Sequence, residues 1–150
     1  MMDMTLMGSW EQLTVTNRRK AILQLESEMK AHEDEQGVEL EPIEYHCDGV
    51  YARELKIPKG VACIGGIHLH AHINVVSKGV IRVFTEEGVK TITAPSTFIS
   101  PAGTKRAGYV LEDTVWTVFH ATTSTNEEEI RKEFIAPDYQ TLDNNLEHKT

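Results

Sequence analysis

The chain has 150 residues, 40% hydrophobic and 7% aromatic, and its 15 Lys and Arg against 23 Asp and Glu leave a net charge of −8. That length suits one domain around one core. The acidic balance excludes a generic binder of nucleic acid or anionic membrane, since either needs a basic surface.

The opening MMDMTLMGSW has no basic stretch ahead of a long apolar run, so it does not read as a secretory signal. No apolar stretch approaches a membrane span, and a soluble, cytoplasmic protein is expected. The first fifteen or so residues read as irregular, with Trp10 and Leu13 packing against the rest. A helix follows, capped by Thr16 or Asn17. Ile22, Leu25 and Met29 share one face at helical spacing, Leu23 widens it, Glu26 and Lys30 form an i,i+4 pair, and Gly37 ends the element.

From residue 43 the pattern becomes short β-branched and aromatic runs. They are separated by Pro58-Lys59-Gly60, Ser77-Lys78-Gly79, Glu86-Glu87-Gly88, Pro101-Ala102-Gly103 and Glu112-Asp113. Runs that recur every 8–12 residues or so predict an all-β sandwich or barrel. The region after 123 begins with a capping box of Thr125 and Glu128. Three acids lead that short helix, Arg131 and Lys132 follow, and Pro137 stops it, leaving a polar, loosely held tail. The organisation expected is an arm and amphipathic helix over 1–42, a β-barrel over 43–123, and a helix and tail over 124–150, within one globular domain.

The run GGIHLHAHINVV is the most informative stretch. Read as one strand over 67–76, it places Ile67, Leu69, Ala71, Ile73 and Val75 on one face and His68, His70, His72 and Asn74 on the other. Neutral imidazole is the commonest protein ligand for divalent transition metals. Two histidines at i and i+2 on a strand project in parallel and can reach one ion. The bland reading is a solvated polar face. The preceding Gly65-Gly66 allows a bulge or a close backbone approach.

The segments PKGVACIGGIHLHAHINVVSKGVIRVF and APSTFISPAGTKRAGYV resemble the two motifs of the cupin superfamily. Within it the likeness is strongest to small cupin-like proteins of tailed bacteriophages. It spans roughly residues 50–121. The resemblance implies a small β-barrel (a double-stranded β-helix or jelly roll), usually dimeric, with a metal held inside. Two departures stand out. His72 falls where the family has an acid, and Arg106 where it has its last histidine ligand. A divalent transition metal (Zn²⁺, Fe²⁺, Mn²⁺ or Ni²⁺) would therefore rest on His68, His70 and His72, and His120 could join them.

Arg106, Tyr109 and His120 are the expected ligand-binding residues. Arg106 cannot bind metal, because it stays protonated, but facing inward it would clamp a carboxylate or phosphate. Its alternative is an exposed position beside Lys105. His120 shares parity with Trp116 and Val118, and it points inward or stands at the rim. Trp116 reads as core, and Tyr109 as cavity or core. Glu112 and Asp113 read as turn acids. His32, His46 and His148 read as solvated, Cys63 as a small buried residue and Cys47 as either; both thiols are expected to be reduced. The apolar face with Leu69, Ala71 and Ile73 needs cover from the N-terminal helix or a second subunit, and a homodimer is expected. Two functions follow: a metal-dependent protein acting on a small anionic metabolite, or a non-catalytic small-molecule-binding or accessory module encoded by a phage.

Overall fold

The computed structural model describes residues 10–31 and 40–147. The expectations for the first nine residues, His32, Gly37 and His148 fall outside that range.

Helix α1 spans Val15–Ala31. Its cap is Thr14 rather than Thr16 or Asn17, for the Thr14 hydroxyl accepts from the Asn17 amide at 3.2 Å. Ile22 is buried with Trp10, Phe84 and Ala107, and Leu25 packs beside them. Leu23 is exposed and does not widen that face. Glu26 is bonded to the buried Lys105 at 2.8 Å, which ties α1 to the sheet. Arg18 donates to the carbonyls of Trp10, Glu11 and Glu86 and holds the arm to the same edge.

The strands are β1 (Ile43–Cys47), β2 (Val50–Ile57), β3 (Ala62–Ile64), β4 (Ile67–His68), β5 (His72–Thr85), β6 (Gly88–Thr93), β7 (Ser96–Ser100), β8 (Ala107–Ala121) and β9 (Ile135–Ala136). Seven form one antiparallel sheet in the order β1-β2-β8-β5-β6, with β3 added to β8 and β7 to β5. The mainly β architecture with helices at both ends is the one the strand spacing predicts. Helix α2 (Glu127–Phe134) and helix α3 (Tyr139–Glu147) complete it.

Two expected turns are bends inside long strands. Ser77-Lys78-Gly79 lies within β5, and Glu112-Asp113 within β8. The register slips by one residue between them, from Val76 opposite Trp116 to Ile81 opposite Val110. Gly79 makes the slip possible. Its φ is +96°, and a Cβ there would lie 2.3 Å from the Asp113 carbonyl oxygen. The two bends therefore pack together as a crease, and β5 changes the parity of its inward side chains across it. Folding at the crease brings Ile57, Val76 and Trp116 against Ile81, Val83, Ile92 and Val110 in one core.

The histidine segment is not a single strand. β4 leaves the sheet to pair with β9, Ile67 opposite Ala136 and His68 opposite Ile135. The chain then turns through 69–71 and re-enters as β5 at His72. Gly66 permits the crossing, because a Cβ there would meet Ile135 Cγ2 at 2.8 Å. Strict alternation over 67–76 is therefore broken.

The cover for the odd face also differs from expectation. Leu69 packs with Ile67, Leu142 and Tyr139, so α3 covers it, and α1 does not. The tail over Tyr139–Glu147 is thus an ordered helix, started by Asp138, whose carboxylate accepts from the Thr141 amide at 2.7 Å. The cap of α2 is Asn126 rather than Thr125, accepting from the Glu129 amide at 3.1 Å. Ile73 remains uncovered at 48% exposure, beside Ile99 at 71%. No helix among the described residues is long and apolar enough to cross a membrane.

Candidate anion site in the curled sheet

The inward face of the first half-sheet carries Tyr51, Arg53 and Leu55 on β2, Trp116, Val118 and His120 on β8, and His72, Asn74 and Val76 on β5. Arg106 reaches this face from the loop before β8. Its guanidinium bonds the Ser100 hydroxyl, donates to Asn74 Oδ1 at 3.2 Å, and lies 3.5 Å from His72 Nε2. It stacks over the Trp116 ring at 4.8 Å. Trp116 Nε1 donates to the same Asn74 oxygen at 3.0 Å, and Asn74 Nδ2 donates to Ser100 at 2.9 Å. Every one of these partners is neutral. No carboxylate pairs with Arg106 among the described residues, and burial holds its pKa down to about 10. Arg106 thus points inward, not outward beside Lys105.

Three imidazoles meet next to it. The ring centroids of His68 and His72 are 4.2 Å apart, those of His72 and His120 5.1 Å, and those of His68 and His120 5.8 Å. Burial is the main cause that pushes His68 down to about pKa 3 and His120 to about 4, and it lowers His72 as well. All three are neutral at pH 7. Nδ1 of His68 faces the Thr104 carbonyl at 3.3 Å, and Nδ1 of His72 faces the His70 carbonyl at 3.2 Å. His120 Nδ1 is buried without a hydrogen-bond partner among the described residues, while its ring stacks on Phe134 at 4.1 Å.

The cluster is therefore His68, His72 and His120, rather than His68, His70 and His72. The break after β4 turns His70 aside, and its ring sits edge-on to Phe134 at 6.0 Å. His120 stands inside the curled sheet, not at a solvated rim. Tyr109 is not part of the site. It alternates with Gly108 and Val110, which face the core, so it projects from the opposite face across from Arg82. Trp116 is core, as its parity predicts. Asn74 was legible as an inward polar residue, but Ser100 and Arg53 carry no motif. Arg53's only signal is its parity with Tyr51, Leu55 and Ile57.

The resemblance implies a divalent ion at these imidazoles. Neutral nitrogen donors suit one chemically, but their placement does not. His72 has one ring nitrogen against a carbonyl and the other against a guanidinium. The His68 and His72 rings are near-parallel, 27° between planes, and in-plane lone pairs on such rings do not converge. No acid among the described residues joins the cluster, and a permanent cation stands beside it. Among the described residues no three ligating side chains are placed to hold an ion. The residues do not fit a resident divalent metal, and no chemistry below is routed through one.

Arg106 borders a cavity of about 280 Å³. Leu55, Ile57, Val83, Trp116 and Val118 give it an apolar wall; His68, Arg53 and Cys63 also line it. Burial raises the Cys63 thiol to about pKa 11, so it is a neutral part of that wall, and Cys47 is an exposed free thiol. The volume lies just below the range of ligand pockets, roughly 300–1,000 Å³, and suits a small molecule.

No protein-family model matches the chain, and no curated protein matches it. Solved structures with a similar run of strands include an RmlC-like cupin from Shewanella frigidimarina, 15% identical over 63% of this chain and 90% of that one, with a TM-score of 0.48. A cupin domain from Bordetella pertussis is 17% identical over 58% of this chain and 100% of that one, with a TM-score of 0.45. The cupin domain of Schizosaccharomyces pombe Cnp3 is 17% identical over 64% and 71%, at 0.47.

Proposed function

We propose that the protein binds a small anionic molecule inside the curled sheet, with Arg106 as the anchor and the neutral His68 beside it as polar wall. The observation that carries this reading is a guanidinium set among neutral partners next to an apolar cavity. Enclosing a lone charge is costly unless it is paired. A carboxylate or phosphate entering the cavity would supply that pair, and in a low-dielectric wall the bond would be strong.

Binding is favoured over catalysis by the imidazoles themselves. Groups with pKa values of about 3 and 4 lie far from the value near ~7 at which proton transfer is efficient. His68, which lines the cavity, acts as a hydrogen-bonding neighbour of the anion, and this supports the non-catalytic reading. The test is a thermal-shift panel of small carboxylates and inorganic phosphate on the wild type and on Arg106→Gln. Stabilisation by at least one anion, absent in the variant, is expected. A panel that stabilises both proteins equally would overturn the assignment.

A second copy of the chain is the proposed cover for the outer sheet face. Ile99, Ile73, Phe119, Ala52 and Tyr45 form one row across β7, β5, β8, β2 and β1. Two chains of net charge −8 repel unless they meet where charge is sparse, and this row has none.

A further inference from the structure

Arg53 is the second charged residue on the cavity wall. It projects inward from β2, opposite Val118 on β8, which in turn lies opposite Asn74 on β5. Asn74 is the residue that holds the Arg106 guanidinium. The Arg106 guanidinium thus sits over Asn74, whose backbone lies two strand spacings, roughly 10 Å, from that of Arg53. Val118 lies between those positions, and Leu55 and Trp116 are in the next row.

Arg53 has no hydrogen bond or ion pair among the described residues. Glu44, its neighbour across the β1–β2 ladder, accepts instead from the Tyr51 hydroxyl at 2.7 Å. Among the described residues no Asp or Glu lines the cavity. The two guanidinium groups are the full charges among the described residues of the cavity wall, and Glu44 beside Arg53 is engaged by the Tyr51 hydroxyl outside that wall. One monoanion on Arg106 would leave Arg53 without a partner.

We propose that the ligand carries two acidic groups joined by a short apolar body, a small dicarboxylate, with one carboxylate on Arg106 and the other on Arg53. This rests on the reading of Arg106 as an anion anchor. Val118, Leu55 and Trp116 pack against the carbon chain between the two carboxylates. Arg53 then sets the class of ligand, whereas Arg106 sets that an anion binds at all.

The test is calorimetric titration in low-salt, phosphate-free buffer with pairs matched in carbon number: succinate against butyrate, and glutarate against pentanoate. At least one dicarboxylate is expected to bind about tenfold tighter than its partner, the gain of one charge-assisted bond pair. Arg53→Gln is expected to erase that preference, and Arg53→Lys to keep part of it. Urea midpoints of both variants check that the fold is retained. Equal binding of each pair by the wild type, with loss in Arg106→Gln, would overturn the role of Arg53 and leave Arg106 as the anchor. A preference that survives Arg53→Gln would do the same. Absence of binding by any of the four acids, together with no effect of Arg106→Gln, would overturn both readings.

Discussion

Acid should unfold this protein through its histidines before its carboxylates are affected. His68 and His120 are held neutral, at about pKa 3 and 4, against 6.5 in an unfolded chain. As pH falls below 6.5, the unfolded chain takes up a proton at each site while the folded protein does not. Stability is therefore full above about pH 6.5 and falls as pH drops toward the folded pKa values. Each such group contributes a slope of about 1.4 kcal/mol per pH unit. Two groups over the 1.5 or so units to pH 5 set a ceiling of about 4 kcal/mol. His68 keeps partial contact with the cavity, which reduces its share, so about 2 kcal/mol is the expected loss by pH 5. His72 adds in the same direction. Urea unfolding at intervals from pH 7.5 to 5 measures this directly. The double variant His68→Asn/His120→Leu should flatten the curve. A wild-type curve flat to pH 5, or a double variant with an unchanged slope, would refute the burial of neutral imidazoles.

Arg106→Met should cost little stability without ligand, within about 1 kcal/mol, because it removes an unpaired charge along with its hydrogen bonds; urea midpoints decide, and a loss above 3 kcal/mol or so would mean the guanidinium is structurally satisfied. His120→Leu should raise stability by about 1 kcal/mol, since it removes a buried nitrogen without a partner and keeps an apolar group on Phe134; a drop of similar size would show that the nitrogen is bonded. Adding Zn²⁺, Mn²⁺ or Ni²⁺ to tag-free protein should leave its melting temperature unchanged, and stoichiometric metal by mass spectrometry would contradict the geometry of the imidazoles. Ile73→Asp/Ile99→Asp should shift sedimentation from dimer to monomer, and a wild type that sediments as a monomer would remove the second copy from the outer face.

Much of the β architecture was legible because strands announce themselves by parity and by turn residues. The Glu86-Glu87-Gly88 and Pro101-Ala102-Gly103 turns lie where their residues place them. Ser77-Lys78-Gly79 and Glu112-Asp113 have the same local chemistry, but they face each other across a sheet. Only that tertiary contact makes them a crease in two long strands rather than two turns. His70 was misplaced for a related reason. The pairing of β4 with β9 joins residues nearly seventy positions apart, which no local periodicity reports. Arg106 and His120 were visible as inward candidates from motif position and strand parity. Tyr109 was not separable from them, because its direction depends on the neighbours Gly108 and Val110 being turned to the core. Asn74 was legible from its parity, but Ser100, its partner in the polar cradle, is placed by the β5–β7 register and has no sequence signal of its own.

The most direct measurement follows the Arg106 Nε–H resonance by NMR while a small carboxylate is titrated in. The account predicts a slowly exchanging signal that moves and saturates with ligand, and that is missing in Arg106→Gln. A signal that exchanges freely with water and does not respond to any anion would place this guanidinium in solvent and contradict the site.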